Sequence, residues 1–272
     1  MAMIATQPPT LQSARGVDGG PLDYGKLPEA NVVVDELQRT GFSCLDSVIQ
    51  QDWLASAQNH VTQLIEREGA RYFSIIRPAD EPHSPAKALV RDSRLSNLLR
   101  DATASVCPKG IVDYEEVYNV LRIISGPDGG SGSLAFHYDA SVITALVPLF
   151  IPQAGRMKSG ELLVMPNRRP FRRNVLHNLA EKAVLQNRLA AKVAATAVSK
   201  NPEKFVRDLV PGNIYLFWGY RTFHANFPCA PDSLRATLLL HYGNPHGSSM
   251  LLKQLRNGRA AFELARRKRG RV

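Results

Sequence analysis

The chain has 272 residues, 44% of them hydrophobic and 21% charged, which is enough for one large domain or two small ones with an ordinary soluble core. Its longest apolar run, 143–151, contains Pro148 and is too short to cross a bilayer, and no basic-then-apolar leader opens the sequence, so neither a membrane span nor secretion is expected. The net charge of +10 is concentrated at one end: residues 253–272 carry eight Lys and Arg against Glu263, or +7, so the basicity does not by itself name a nucleic-acid partner.

Three cysteines, Cys44, Cys107 and Cys229, are widely spaced and odd in number. They form no disulfide framework and no zinc spacing, fit a reducing, cytoplasmic compartment, and read as small buried hydrophobes.

Residues 1–28 are rich in Pro, Gly and small polar side chains and are expected to form a flexible arm. A short helix is then predicted to close at Gly41, followed by a strand over 42–49. Trp53, Leu54, Ala57, Val61, Leu64 and Ile65 fall at helical spacing, with Gly69 as the stop; His60 on this helix reads as a surface or packing histidine. A further helix is expected over 92–106.

From Tyr114 the period changes to two, and strands are predicted over 115–125, 134–150, 160–167, 213–219 and 235–243. An Ala-, Leu- and Lys-rich stretch, 171–209, interrupts them as a helical insertion packing on or capping the sheet, and a last helical piece covers 249–270. The expected fold class is mainly β with helical additions: a double-stranded β-helix of jelly-roll or cupin type, flanked by N-terminal helices. We expect one domain over 29–260, with 261–272 as a basic tail. That tail is either a solvated, solubilising end or a peripheral contact with an acidic surface.

Within "AFHYDAS" (135–141), His137 and Asp139 stand two residues apart in apolar surroundings, so on a strand they project from one face. Two ligands are too few to hold a metal. The segment "PGNIYLFWGYRTFHANFPC" supplies a third in His224, just after a tight turn and a buried strand. His83, in a Pro-rich loop, His177, on the insertion, and His246, in a Gly/Asn/Pro turn, fit less well. Two histidines and one carboxylate match the facial arrangement of non-haem iron(II) oxygenases, which leaves open positions for a chelating co-substrate and dioxygen.

Arg235 begins the strand "RATLLLHYG", and Thr237 shares its face. A guanidinium inside a barrel is costly without an anion, and its planar fork suits the distal carboxylate of a dicarboxylate such as 2-oxoglutarate.

The motifs "HYD" (137–139), "GEL" (160–162), "PGNIYLFWGYRTFH" (211–224) and "RAT" (235–237) resemble the iron(II)- and 2-oxoglutarate-dependent oxygenases. The opening "LQRTGFSCLDSVIQQDWLASA" is similar to their phytanoyl-CoA dioxygenase-like branch. The resemblance implies iron held by His137, Asp139 and His224, with Arg235 and Thr237 on the co-substrate carboxylate and Asn119 on the preceding strand touching 2-oxoglutarate. It implies consumption of O2, release of succinate and CO2, and hydroxylation of a small, possibly anionic or lipid-linked, metabolite. The retained Asp139 argues against a halogenase. His241, where nucleic-acid demethylases of the superfamily carry a second arginine, argues against nucleic acid as the substrate.

Arg122, Arg221 and Trp218 are candidates to line a substrate pocket, or else a surface charge or packed aromatic; His241 shares the inward parity of Arg235 but reads as a structural histidine. Two other readings of the same residues are a non-catalytic jelly-roll sensor and a metal-dependent cupin needing no 2-oxoglutarate.

Overall fold

A computed structural model describes residues 20–107, 113–130, 132–170 and 188–244. In chain order the elements are α1 (Ala30–Thr40), β1 (Phe42–Leu45), α2 (Gln51–Glu68), β2 (Phe73–Ile76), α3 (Ala86–Val90), α4 (Ser93–Val106), β3 (Asp113–Ile124), β4 (Ile143–Phe150) and β5 (Leu162–Met165). They continue with α5 (Arg188–Lys200), α6 (Pro202–Phe205), β6 (Val206–Arg207), β7 (Ile214–Phe217), β8 (Phe223–Asn226) and β9 (Arg235–Asn244).

Six strands form one sheet in the order β1-β7-β4-β9-β3-β2, and three form a second, β6-β5-β8. Every pairing is antiparallel. The two sheets face each other as a jelly roll, because alternate residues of the large sheet need different partners. Leu121, Ile123, Ala145, Val147, Leu216 and Leu238 point outward into one core shared with Val33 and Leu37 of α1, Trp53 and Leu64 of α2, and Leu95 and Leu99 of α4. Leu146, Tyr215 and Phe217 point inward to Leu162 and Val164 of the small sheet. Each fully buried aliphatic side chain contributes about 1.5–3 kcal/mol, so the inward and outward faces together fix the register.

The stops of α1 and α2 and the span of α4 fall where the sequence predicts. Gly41 closes α1 at φ 74°, and an added Cβ would lie 2.0 Å from Pro166 Cβ, so only glycine fits there. Asp92 caps α4 by accepting from Leu95 N at 2.9 Å. Its other oxygen accepts from Tyr24 Oη at 2.6 Å, while Leu22 is buried and bridges Ile49. Residues 20–27 are therefore tied to the core rather than belonging to a free arm.

Three further expectations need correction. The strand predicted over 134–150 begins only at Ile143; the segment before it is irregular, tied down by the His137–His224 bridge and by separate backbone hydrogen bonds from Leu134 to Asn226, Asp139 to Gly219 and Val142 to Gly243. The helical insertion ends earlier than expected, since Val206–Arg207 turns extended and pairs with β5. Cys44 is exposed, whereas Cys107 and Cys229 are buried as expected. Within the insertion, Ala194 and Val198 of α5 pack with Leu163, Met165, Phe223 and Ala225, so this helix does cap the small sheet. The remainder of the insertion, 171–187, and the last helical piece lie outside the described residues. No described helix is long and apolar enough to cross a membrane.

Candidate metal centre

His137 and His224 come together through a two-residue antiparallel bridge. His137 N donates to His224 O at 2.9 Å, and His224 N donates to His137 O at 3.0 Å. Each ring is oriented by its own backbone: His137 Nδ1 lies 2.8 Å from Ala135 O and His224 Nδ1 3.0 Å from Thr222 O. A carbonyl can only accept, so both Nδ1 atoms carry the proton and both Nε2 lone pairs are free to ligate. Both Nε2 atoms aim at Asp139, at 3.6 Å from Oδ1 and 3.6 Å from Oδ2 respectively.

One ligand atom from each of His137, Asp139 and His224 lies within 4.8 Å of the other two, close enough for the three to converge on a single ion. Asp139 is fixed at both ends. Its N donates to Gly219 O at 2.9 Å, and Thr144 Oγ1 donates to Oδ2 at 2.5 Å. Behind Thr144, Ser141 Oγ lies 3.1 Å from His241 Nδ1, and Tyr118 stacks on the His241 ring at 4.4 Å. Gly219 permits this packing, because a Cβ there would fall 2.5 Å from Thr144 Oγ1 and 2.8 Å from Asp139 Oδ2.

The electrostatics put these groups in their ligating forms. Burial alone would raise the Asp139 carboxyl, but the facing imidazoles of His224, His241 and His137 and the Thr144 hydrogen bond hold it far below the usual carboxylate range. Burial pushes His224 down to about 4 against the opposing pull of Asp139, so it is neutral at pH 7. An ionised Asp139 carboxylate beside the neutral His224 imidazole suits a divalent transition metal.

The trio opens into a cavity of about 350 Å³ between the sheets. At its other end stands Arg235, 2% exposed, whose Nε donates to Gly160 O at 3.0 Å and whose Nη1 lies 3.4 Å from Thr237 Oγ1. No ion pair neutralises it among the described residues; the nearby Glu161 carboxylate accepts instead from Met157 N at 2.6 Å and Ser159 N at 3.1 Å. Burial pushes Arg235 down to about 10, which leaves it charged at pH 7. A buried guanidinium facing a cavity without a counter-charge is a receptor for an anion.

The structure thus brings His137, Asp139, His224, Arg235 and Thr237 to one cavity and leaves Asn119 out of it. Asn119 has the opposite parity on β3: Tyr118, Val120 and Arg122 face inward, while Asn119 Oδ1 accepts from Ala79 N at 3.2 Å on the other face. Arg122 and His241 do line the cavity. Trp218 is buried in the helix-side core, and Arg221 Nε donates to Arg169 O at 3.1 Å; neither is among the cavity residues. His83 occupies a loop position with φ 60°, away from the cavity, and His177 and His246 lie outside the described residues. Thr144, Tyr118 and Gly219 were not singled out from the sequence. The inward parity of Thr144 could have identified it once the start of β4 was known.

No protein-family model matches the chain, and no curated protein matches it in sequence. Solved structures do. The chain is similar to AviO1 from Streptomyces viridochromogenes Tue57 at 16% identity and TM-score 0.51, covering 80% of this chain and 96% of that one. It is similar to SnoK, a non-heme alpha-ketoglutarate-dependent carbocyclase from nogalamycin biosynthesis, at 15% identity and TM-score 0.52, covering 83% and 88%. A third is EctD from S. alaskensis, solved with 2-oxoglutarate and 5-hydroxyectoine, at 17% identity and TM-score 0.51, covering 85% and 78%. At such identities the likeness is one of fold.

Proposed function

We propose that this protein is an iron(II)- and 2-oxoglutarate-dependent oxygenase that hydroxylates an unactivated C–H of a small metabolite. The observation that carries the reading is the joint placement, in one cavity, of a two-histidine, one-carboxylate cluster and an unneutralised buried arginine. The fold likeness to SnoK and EctD supports it, as does the order of motifs along the sequence. Within the superfamily, the opening helix, Gly-Phe strand and helix favour the phytanoyl-CoA dioxygenase-like branch.

In this reading His137, Asp139 and His224 hold iron, and Arg235 with Thr237 binds the distal carboxylate of 2-oxoglutarate. When bound, the metal and co-substrate supply the oxidation, in which substrate, 2-oxoglutarate and O2 give hydroxylated product, succinate and CO2. The chain itself orients and shields. The two backbone carbonyls lock the imidazole tautomers, Thr144 and Gly219 hold Asp139 in place, and Arg235 sets the direction in which the co-substrate lies. A cavity of about 350 Å³ suits a small molecule, and the modest basic bias of the chain favours an anionic or lipid-linked one.

Incubation with Fe(II), 2-oxoglutarate and ¹⁸O2 across a panel of anionic and acyl-linked metabolites tests this. We expect succinate release that one substrate class accelerates, with one ¹⁸O atom in the hydroxylated product. Succinate formation that is absent with every panel member, and absent without substrate, would remove the oxygenase reading.

A further inference from the structure

The acid-binding end of the cavity carries a second guanidinium. Arg122 lines the same cavity from β3, and its Nε is buried without a hydrogen-bond partner. In the β3–β9 ladder its Cα partner is Thr237, the residue whose hydroxyl lies beside Arg235 Nη1. Arg122 is therefore one strand across and one side-chain step from Arg235, diagonal neighbours within reach of long side chains. The Arg122 charge is felt at Arg235 and acts, with burial, to lower its pKa.

Two like charges side by side in a partly dry cavity repel each other unless an anion lies between them. The cavity offers little relief: among the described residues the only acidic one lining it is Asp139, beside His137 and His224. That cluster lies level with His241, three side-chain steps along β9 from Arg235. Arg235 also has two of its five N–H donors in use, which leaves three for an incoming carboxylate. Its Nε is committed to Gly160 O and its Nη1 leans on Thr237, whereas a carboxylate has two oxygens and about four acceptor positions.

We propose that Arg122 is a second anion-binding residue that closes with Arg235 on the distal carboxylate of 2-oxoglutarate. This inference rests on the reading of the cavity given above. A two-arginine grip makes the site strongly selective for a co-substrate with a charged far end. In register Arg122 stands opposite Thr237, one side-chain step closer than Arg235 to the His241 level of β9.

The test is calorimetric titration of the Mn(II)-loaded, full-length protein under anaerobic conditions with two ligands. These are 2-oxoglutarate and 2-oxopentanoate, which keeps the chelating end and has a methyl in place of the distal carboxylate. We expect Arg122→Gln to weaken 2-oxoglutarate roughly 10- to 100-fold, the loss of a charge-assisted hydrogen bond, with Arg122→Lys recovering part of it. The same variant should leave 2-oxopentanoate within about twofold of wild type, because the missing partner is the distal acid. Melting curves matching wild type establish that the variants fold. Wild-type protein that binds 2-oxoglutarate normally while Arg122→Gln binds it equally well would overturn the proposal and leave the oxygenase reading standing. Equal weakening of both ligands would also overturn it, since the effect would not then be at the distal carboxylate. Wild-type protein that binds Mn(II) but neither oxo acid would instead overturn the oxygenase reading, and the proposal with it.

Discussion

Asp139 Oδ2 has a single hydroxyl donor, Thr144 Oγ1 at 2.5 Å, and that donor is itself backed by Ser141 and His241. The hydroxyl holds the carboxylate plane so that both imidazoles can share an ion with it. Thr144→Val keeps the shape and removes only this hydrogen bond. We expect metal affinity to fall about 10- to 100-fold, read by competition with a chromophoric chelator, with little change in melting temperature. Unchanged affinity would reduce Thr144 to packing. Cys107 gives a residue-scale prediction unrelated to the metal. Burial pushes its thiol from 9.0 up to about 11. The folded thiol therefore stays protonated where the unfolded one ionises, so its contribution is complete below pH 9 and is lost as pH rises toward 11. Urea unfolding at pH 8 and pH 11 should show wild type losing more stability than Cys107→Ala. Equal losses would place the alkaline sensitivity elsewhere.

Strands and turns set the geometry that those residues use. Gly160 is at φ 70°, its carbonyl accepts from Arg235 Nε, and an added Cβ would lie 2.4 Å from Arg235 Cδ and 2.8 Å from Cys229 Sγ. Gly160→Ala should displace the arginine without touching the metal ligands. The expected outcome is near-complete loss of 2-oxoglutarate binding by calorimetry, with metal stoichiometry retained; intact 2-oxoglutarate affinity would show that Arg235 does not need that carbonyl. At this scale the sequence was legible where burial and turn residues impose a clear pattern. The glycine stops of α1 and α2 are examples, and β7 and β9 read as strands because turn residues bound apolar runs that are buried on both faces. It was less legible where isolated contacts replace a repeat. The HYD segment keeps both residues on the cavity with a bridge from His137 to His224 and one backbone hydrogen bond from Asp139 to Gly219, so no strand was required to align them. On β3 a one-residue ambiguity of register exchanged Asn119 for its neighbours, because adjacent residues of a strand face opposite ways. The two-residue β6 has too few positions to show any period.

Across the whole molecule, the helix-backed sheet provides a rigid wall and the small sheet, capped by α5, closes over it, so that the cavity has a metal-ligating end and a cationic end. The proposed metal ligands His137 and Asp139, just ahead of β4, and His224, on β8, share one cavity with Arg235 of β9 because these strands belong to facing sheets. That convergence is the central claim, and anaerobic titration with Fe(II) followed by 2-oxoglutarate tests it most directly. Wild-type protein should take up one iron per chain and then develop a weak visible charge-transfer band that saturates at one equivalent of the oxo acid, with both steps lost in His224→Ala. Iron bound far below one per chain, or bound with the same band in His224→Ala, would contradict it.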